Sequence, residues 1–199
     1  FHVTGTITEA QDTMLYLEHL TLDRGAVAID SVKLPADGTF DLKGDTVGNP
    51  EFYRLRIGGK AINISIDSTE TVTIHAALPT MDSIYGVEGS GNCDTIRIIA
   101  QRQRTLLKAV SQAANDRTLT LEEREAKIDR LIADYKTDIK LQFVQHRYDR
   151  ASSYYAMFQQ VDGQLIFNPV SDASDVTWFT AIATAWMEKW PNALRTQNL

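Results

Sequence analysis

The sequence contains one cysteine, Cys93, in 199 residues. No intramolecular disulfide can form, and a Cys-x-x-Cys redox pair is absent. A lone thiol leaves two readings open: a small, partly buried side chain, or a reactive group without a nearby histidine in sequence. One cysteine does not decide the compartment either, because cytosol and a bridge-free envelope protein both accommodate it. No run of about 18 apolar residues occurs, so no transmembrane helix is expected. No signal peptide is visible, and the chain starts at Phe1 rather than Met. A processed or engineered product is expected, with any targeting segment upstream.

Basic charge is also scarce. Lys and Arg number 20 against 26 Asp and Glu, a net charge of −6, which disfavours a nucleic-acid surface. Residues 1–91 carry 6 basic against 13 acidic side chains, and residues 92–199 carry 14 against 13. The four histidines (His2, His19, His75, His146) show no i, i+4 pair, so no metal centre is expected. Gly86-Val87-Glu88-Gly89-Ser90-Gly91 superficially resembles a phosphate loop but lacks the G-K-S/T ending. A strand-to-helix junction is the plainer reading, and an anion at the following helix N-terminus the other. No cofactor is expected. No Ser/His/Asp or Cys/His spacing singles out a catalytic residue, so the chain is expected not to be an enzyme.

What is present is ordinary globular composition, 43% apolar and 23% charged. Residues 1–91 read as short strands separated by turns: His2–Thr8, Met14–Leu20, Ala26–Leu34, Thr39–Lys43, Phe52–Ile57, Ala61–Asp67, Thr71–Ala77 and Ile84–Glu88. Asp37-Gly38, between two alternating runs, predicts a hairpin across Asp30–Gly44. Tyr53, Leu55 and Ile57 share one face, as do Ile62, Ile64 and Ile66. An antiparallel β-sandwich or barrel is the expected architecture.

Residues 92–199 change to helical periodicity. Asn92 or Asp94 is expected to cap a helix reaching Ala114, with Ile96, Ile99, Gln103, Leu107 and Val110 inward. Thr120-Leu121-Glu122-Glu123 is a capping-box signature. The helix behind it, carrying Ile128, Leu131, Ile132, Tyr135, Ile139 and Phe143, is expected to reach Tyr148. At that length, about 40 Å, it would prop two parts of the structure apart. A final helix spans Asp172–Trp190, with Asp172 or Ser174 as cap, Val176, Phe179, Ala183, Trp186 and Trp190 inward, and Pro191 as its stop. Residues 192–199 read as frayed. The class is therefore α+β, with a β domain at 1–91 and a helical domain or extension at 92–199.

Arg97, Arg102, Arg104 and Lys108 give the first helix a basic side, and Asp116, Glu122, Glu123, Glu125 and Asp129 give the second an acidic start: either a solvated charged face with interhelical ion pairs or a docking surface for a partner. Aromatic residues are the densest chemistry: Tyr154, Tyr155, Phe158, Trp178, Trp186 and Trp190. Helical spacing makes core packing their default role. A ligand cleft or covered interface formed with the β domain is the functional alternative, and these six are the candidate ligand or interface residues.

The front half also resembles a known domain. Phe1-x-Val3-x-Gly5-Thr6-Ile7, Leu15-Tyr16-Leu17, Asp30-Ser31 with Asp37-Gly38-Thr39-Phe40, Phe52-Tyr53-Arg54-Leu55, Ile64-Ser65-Ile66-Asp67 and Val87-Glu88-Gly89-Ser90 are similar to a domain of unknown function. That domain stands at the N-terminus of thioredoxin-like (AhpC/TSA and TlpA/ResA type) envelope lipoproteins. The resemblance covers residues 1–92, with neither a Cys-x-x-Cys nor a βαβ unit present. It implies a periplasmic or surface-facing location, a membrane link only through an upstream lipid anchor, and a non-catalytic role. That role would be positioning a downstream thioredoxin-like domain or binding its client. A stand-alone ligand-binding protein is the second expectation, and a hydrolase built on His146 a distant third.

Overall fold

A computed structural model describes all residues, 1–199. The fold is α+β, as the switch in periodicity predicts. Eight strands open the chain: β1 (His2–Thr8), β2 (Met14–Thr21), β3 (Gly25–Lys33), β4 (Thr39–Lys43), β5 (Glu51–Ile57), β6 (Lys60–Ile66), β7 (Thr71–Ala77) and β8 (Tyr85–Glu88). Each expected strand is present, with its ends within one residue of expectation.

The strands form two four-stranded sheets, ordered β4-β1-β7-β8 and β3-β2-β5-β6. All pairs are antiparallel except β1 and β7, which run parallel from His2 opposite Thr71 to Thr8 opposite Ala77. Inward residues of both sheets make one core, including Val3, Ile7, Leu42, Val72 and Ile74 from the first and Leu15, Leu17, Leu55, Ile62 and Ile64 from the second. This alternation, with the two inner faces meeting in one core, is what a sandwich demands.

The hairpin expected across Asp30–Gly44 does not form. β3 pairs with β2, and β4 pairs with β1 in the other sheet. Pro35–Gly38 is a turn, closed by the Gly38 N–H donating to the Pro35 carbonyl at 3.0 Å, that carries the chain between sheets. Gly38 is required there: its φ is +71°, and a Cβ would lie 2.1 Å from the Ile7 carbonyl oxygen.

By contacts along the chain, the protein divides into two compact units, Phe1–Ile98 with Ala193–Asn198, and Ile99–Asn192. Helix α1 (Gly91–Ala114) runs from the first into the second. Its cap is neither Asn92 nor Asp94. Ser90 Oγ accepts from the Cys93 N–H at 3.2 Å, while Asn92 donates to Asp67 and Asp94 pairs with Arg97. The thiol of Cys93 donates to the Ser65 carbonyl at 3.1 Å and receives the Ser65 N–H at 3.4 Å. Leu106 rather than Leu107 faces inward.

In the second unit, α2 (Leu121–Ile139) begins with the expected capping box between Thr120 and Glu123. It ends earlier than predicted. A π-turn at Lys140–Val144 follows, Gln145 leaves helical geometry, and His146 has φ +62°. The helical path from Leu121 through the π-turn to Val144 is continuous, roughly 35 Å long, and stops four residues short of Tyr148. Next come α3 (Ala151–Met157), the hairpin β9 (Gln160–Val161) to β10 (Gln164–Leu165), and α4 (Ala173–Lys189), capped by Asp172. The buried side of α4 is Asp175, Phe179, Ile182 and Trp186, with Val176 exposed. A carboxylate therefore lies on the apolar stripe. Both Lys136 and Lys140 reach it, Lys136 at 2.7 Å and Lys140 at 2.7 Å, and Asp172 pairs with Lys136. Burial works against the charge on Lys136, but the two aspartates outweigh it and raise its pKa.

Candidate functional site

The aromatic residues singled out by the sequence all lie in the helical unit. Tyr154 stacks on Phe158 at 4.6 Å and meets Trp186 at 4.9 Å. Trp186 meets Trp190 at 4.9 Å, and Phe158 contacts Phe179 edge-on at 5.7 Å. Tyr154 and Trp186 are buried, so four of the six form one packed cluster of α3 and α4. Trp178 stands apart, 6.4 Å from Tyr148 and below the Lys140 ammonium. Tyr155 is half-buried, and its carbonyl accepts from Gln159. Offset and edge-on stacking is how aromatic cores pack.

The expectation of a frayed C-terminal segment is corrected. Residues 194–197 form a short helix, α5, with Arg195 and Thr196 buried. It lines a cleft of about 510 Å³ in the β unit with His19, Thr21, Leu22, Asp23, Arg24 and Glu51. That volume is in the range of small-molecule sites.

Glu51, the first residue of β5, organises the cleft. Its Oε2 accepts from Arg195 Nε at 2.9 Å and meets His19 Nε2 at 3.1 Å, while Oε1 accepts from Asn49 at 3.2 Å. Arg195 also donates to the Leu20 carbonyl and lies 4.7 Å over the Phe52 ring. Phe52, on the sheet face opposite Tyr53, is covered in this way. The imidazole of His19 stacks on Tyr53 at 4.8 Å. Burial, reinforced by the Glu51 charge, pushes the Tyr53 phenol up to about 12. Tyr53 therefore stays neutral at physiological pH.

The pair Glu51–His19 has the form of a base with its orienting carboxylate. The hydroxyl among the lining residues, Thr21 Oγ1, is committed to its own turn, donating to the Gly25 carbonyl and accepting from the Arg24 N–H. The arrangement suits holding a polar group or a chain segment. Sequence reading missed this centre because Arg195 lies 144 positions from Glu51 and farther still from His19.

His146 lines a separate open groove with Tyr148, Asp149, Ala185, Glu188 and Lys189. Asp149 is engaged by Lys189 at 3.0 Å, a bond that holds its carboxyl below the usual range. No three His, Cys, Asp or Glu side chains stand in metal-binding geometry, and no helix is long and apolar enough to cross a membrane.

No curated protein matches this chain. Among solved structures, (S)-allantoin synthase is similar at 12% identity and a TM-score of 0.30, over 45% of this chain and 43% of that one. The chain spans less than half of that protein, and the likeness carries no argument. The match with content is to a family model, over residues 1–96, described as a domain of unknown function (DUF4369). The two-sheet part of this chain is accordingly similar to a domain of unknown function.

Proposed function

We propose that this chain is a non-catalytic module of a cell-envelope protein, standing before a thioredoxin-like oxidoreductase domain and positioning that domain or its client. The observation that carries the reading is the Arg195 clasp. It brings the segment after α4 back to the β unit and holds it by an ion pair, a carbonyl bond and a ring contact. A domain fused behind such a segment would leave from a defined point rather than from a loose tail. The state of Cys93 agrees with a non-catalytic role. Its thiol is fully buried, and burial pushes its pKa up, whereas exchange chemistry needs an accessible thiolate.

The test is an insulin-disulfide reduction assay on the 199-residue chain and its Cys93→Ser variant. Background turnover from both is the expected result. Turnover that survives the substitution would overturn the non-catalytic reading.

A second reading, a stand-alone ligand-binding protein, is favoured by the cleft at His19 and Glu51 rather than by the aromatic residues. It predicts that small polar ligands perturb the His19 ring resonances. A flat response across amino acids, sugars and dicarboxylates removes it.

A further inference from the structure

The outer face of the second sheet carries a charged cluster that the cleft does not use. Glu18 of β2 is only 5% exposed. Arg54 stands directly opposite it on β5, and Arg56 stands opposite Tyr16. Both arginines turn their Nε edge onto the same carboxylate, Arg54 to Oε2 at 2.5 Å and Arg56 to Oε1 at 2.7 Å. The Arg56 guanidinium also lies 4.7 Å over the Tyr16 ring, which fixes its plane. The only other bond from either is Arg56 Nη1 to the Gly58 carbonyl, at 3.3 Å.

A guanidinium has five N–H donors in a rigid fork. Here each fork spends its Nε on Glu18 and keeps terminal nitrogens for something else. The Arg54 and Arg56 side chains are 33% and 30% exposed, against 5% for the Glu18 that they flank. Two cations against one anion leave one positive charge, set in a domain whose other charges are mainly acidic. Small residues flank the pair on the same face, Ala28 opposite Glu18 and Ala61 opposite Arg56. Burying a carboxylate is costly unless it is paired, and this one holds two forks in a fixed orientation.

We propose that Arg54 and Arg56, oriented by Glu18 and Tyr16, form a binding site for a carboxylate group. The terminal N–H groups of the two forks match the two oxygens of a carboxylate in bidentate geometry. The carboxylate is either a free small dicarboxylate or an acidic side chain of a protein partner. The site stands independently of the proposed module function, since it rests only on the second sheet.

The experiment is an NMR titration of the arginine Nε–H signals in the full 199-residue chain, at constant ionic strength set with chloride. Three probes are used: succinate, N-acetyl tetraglutamate and inorganic phosphate. The expected result is a saturable shift of the Arg54 and Arg56 signals with succinate and with the peptide. Affinity should fall at least about tenfold in Arg54→Gln and in Arg56→Gln. Arg54→Lys, which keeps the charge and loses the fork, should weaken binding about fivefold or more. Tighter binding of the peptide assigns the site to a protein partner; equal binding assigns it to a small dicarboxylate. No saturable shift in the wild-type chain overturns the proposal without recourse to any variant. So does phosphate binding as tight as succinate, or an Arg54→Lys variant that binds like wild type.

Discussion

The Asp30 carboxylate joins the two sheets: Oδ2 accepts the backbone N–H of Lys43 at 2.8 Å, and Oδ1 accepts that of Ser31 at 2.8 Å. Lys43 belongs to β4, at the edge of one sheet, and Asp30 to β3, at the edge of the other. Exposed edge N–H groups invite pairing with other chains, and this side chain occupies one on each strand.

Asp30→Ala should therefore lower stability by about 1–2 kcal/mol, the range for two partly solvated bonds to a charged acceptor. Asp30→Asn has a single carbonyl oxygen and should lose about half as much. Urea unfolding measures this as a shift in midpoint at unchanged slope. No midpoint shift in Asp30→Ala would show that the two-oxygen bridge contributes nothing.

Glu18 predicts an acid response. Burial pushes its carboxyl up, but the hydrogen bonds and charges of Arg54 and Arg56 outweigh this and hold it below its ordinary value of 4.5. A folded-state value below the unfolded one stabilises the fold above about pH 4.5, and that contribution is lost as pH falls through the folded value. The stability difference between wild type and Glu18→Gln should be constant from pH 7 to about 5 and shrink below about pH 4.5. Other depressed carboxylates cancel in this difference. A difference that stays flat down to pH 2.5 contradicts the pairing.

Cys93 should resist labelling. Its thiol is enclosed by Ser65 and its pKa is raised by burial. Reaction with a water-soluble disulfide reagent in buffer should be at least about a hundredfold slower than in denaturant. Stoichiometric labelling within the mixing time would rule out the buried state.

Asp175 should be the most sensitive charged residue of the helical unit. Asp175→Ala leaves Lys136 and Lys140 without their buried counter-charge and should cost about 3–5 kcal/mol. Asp175→Asn retains the acceptor for the Asn168 N–H, now at 2.8 Å, and should cost less. Thermal unfolding followed by Trp fluorescence reads both. A loss below about 1 kcal/mol in the alanine variant is incompatible with a buried ion cluster.

Arg195→Ala should release α5. Hydrogen exchange at residues 193–198 should accelerate strongly, with a stability loss of about 2 kcal/mol for a removed, largely buried ion pair. Exchange across the β strands should change little. Unchanged exchange at 193–198 would show that the clasp does not hold the segment.

Much of this architecture was legible locally. Strand ends followed alternation, and the Thr120–Glu123 capping box depends only on residues three apart. The β half was recognisable because turn residues and inward apolar positions recur at short range. The candidate cleft was not legible. Glu51 meets its partners from β2 and from α5, and no window of sequence contains all three. Asp175 was missed because a periodicity reading admits apolar residues only. It shares the stripe of Phe179, Ile182 and Trp186, yet its lysines come from another helix.

Two Asp-Gly pairs divide what the sequence by itself determined from what the tertiary structure decided. Both make turns, as their composition requires. At Asp162-Gly163 both residues take positive φ, +49° and +78°, and β9 pairs with β10 as a hairpin. At Asp37-Gly38 only the glycine does, and the strands on either side go to different sheets. Local sterics decide that a chain turns. Which strand it then meets depends on burying Phe40 and Leu42 in a core shared with β1, and that free energy exists only when the distant strands are assembled.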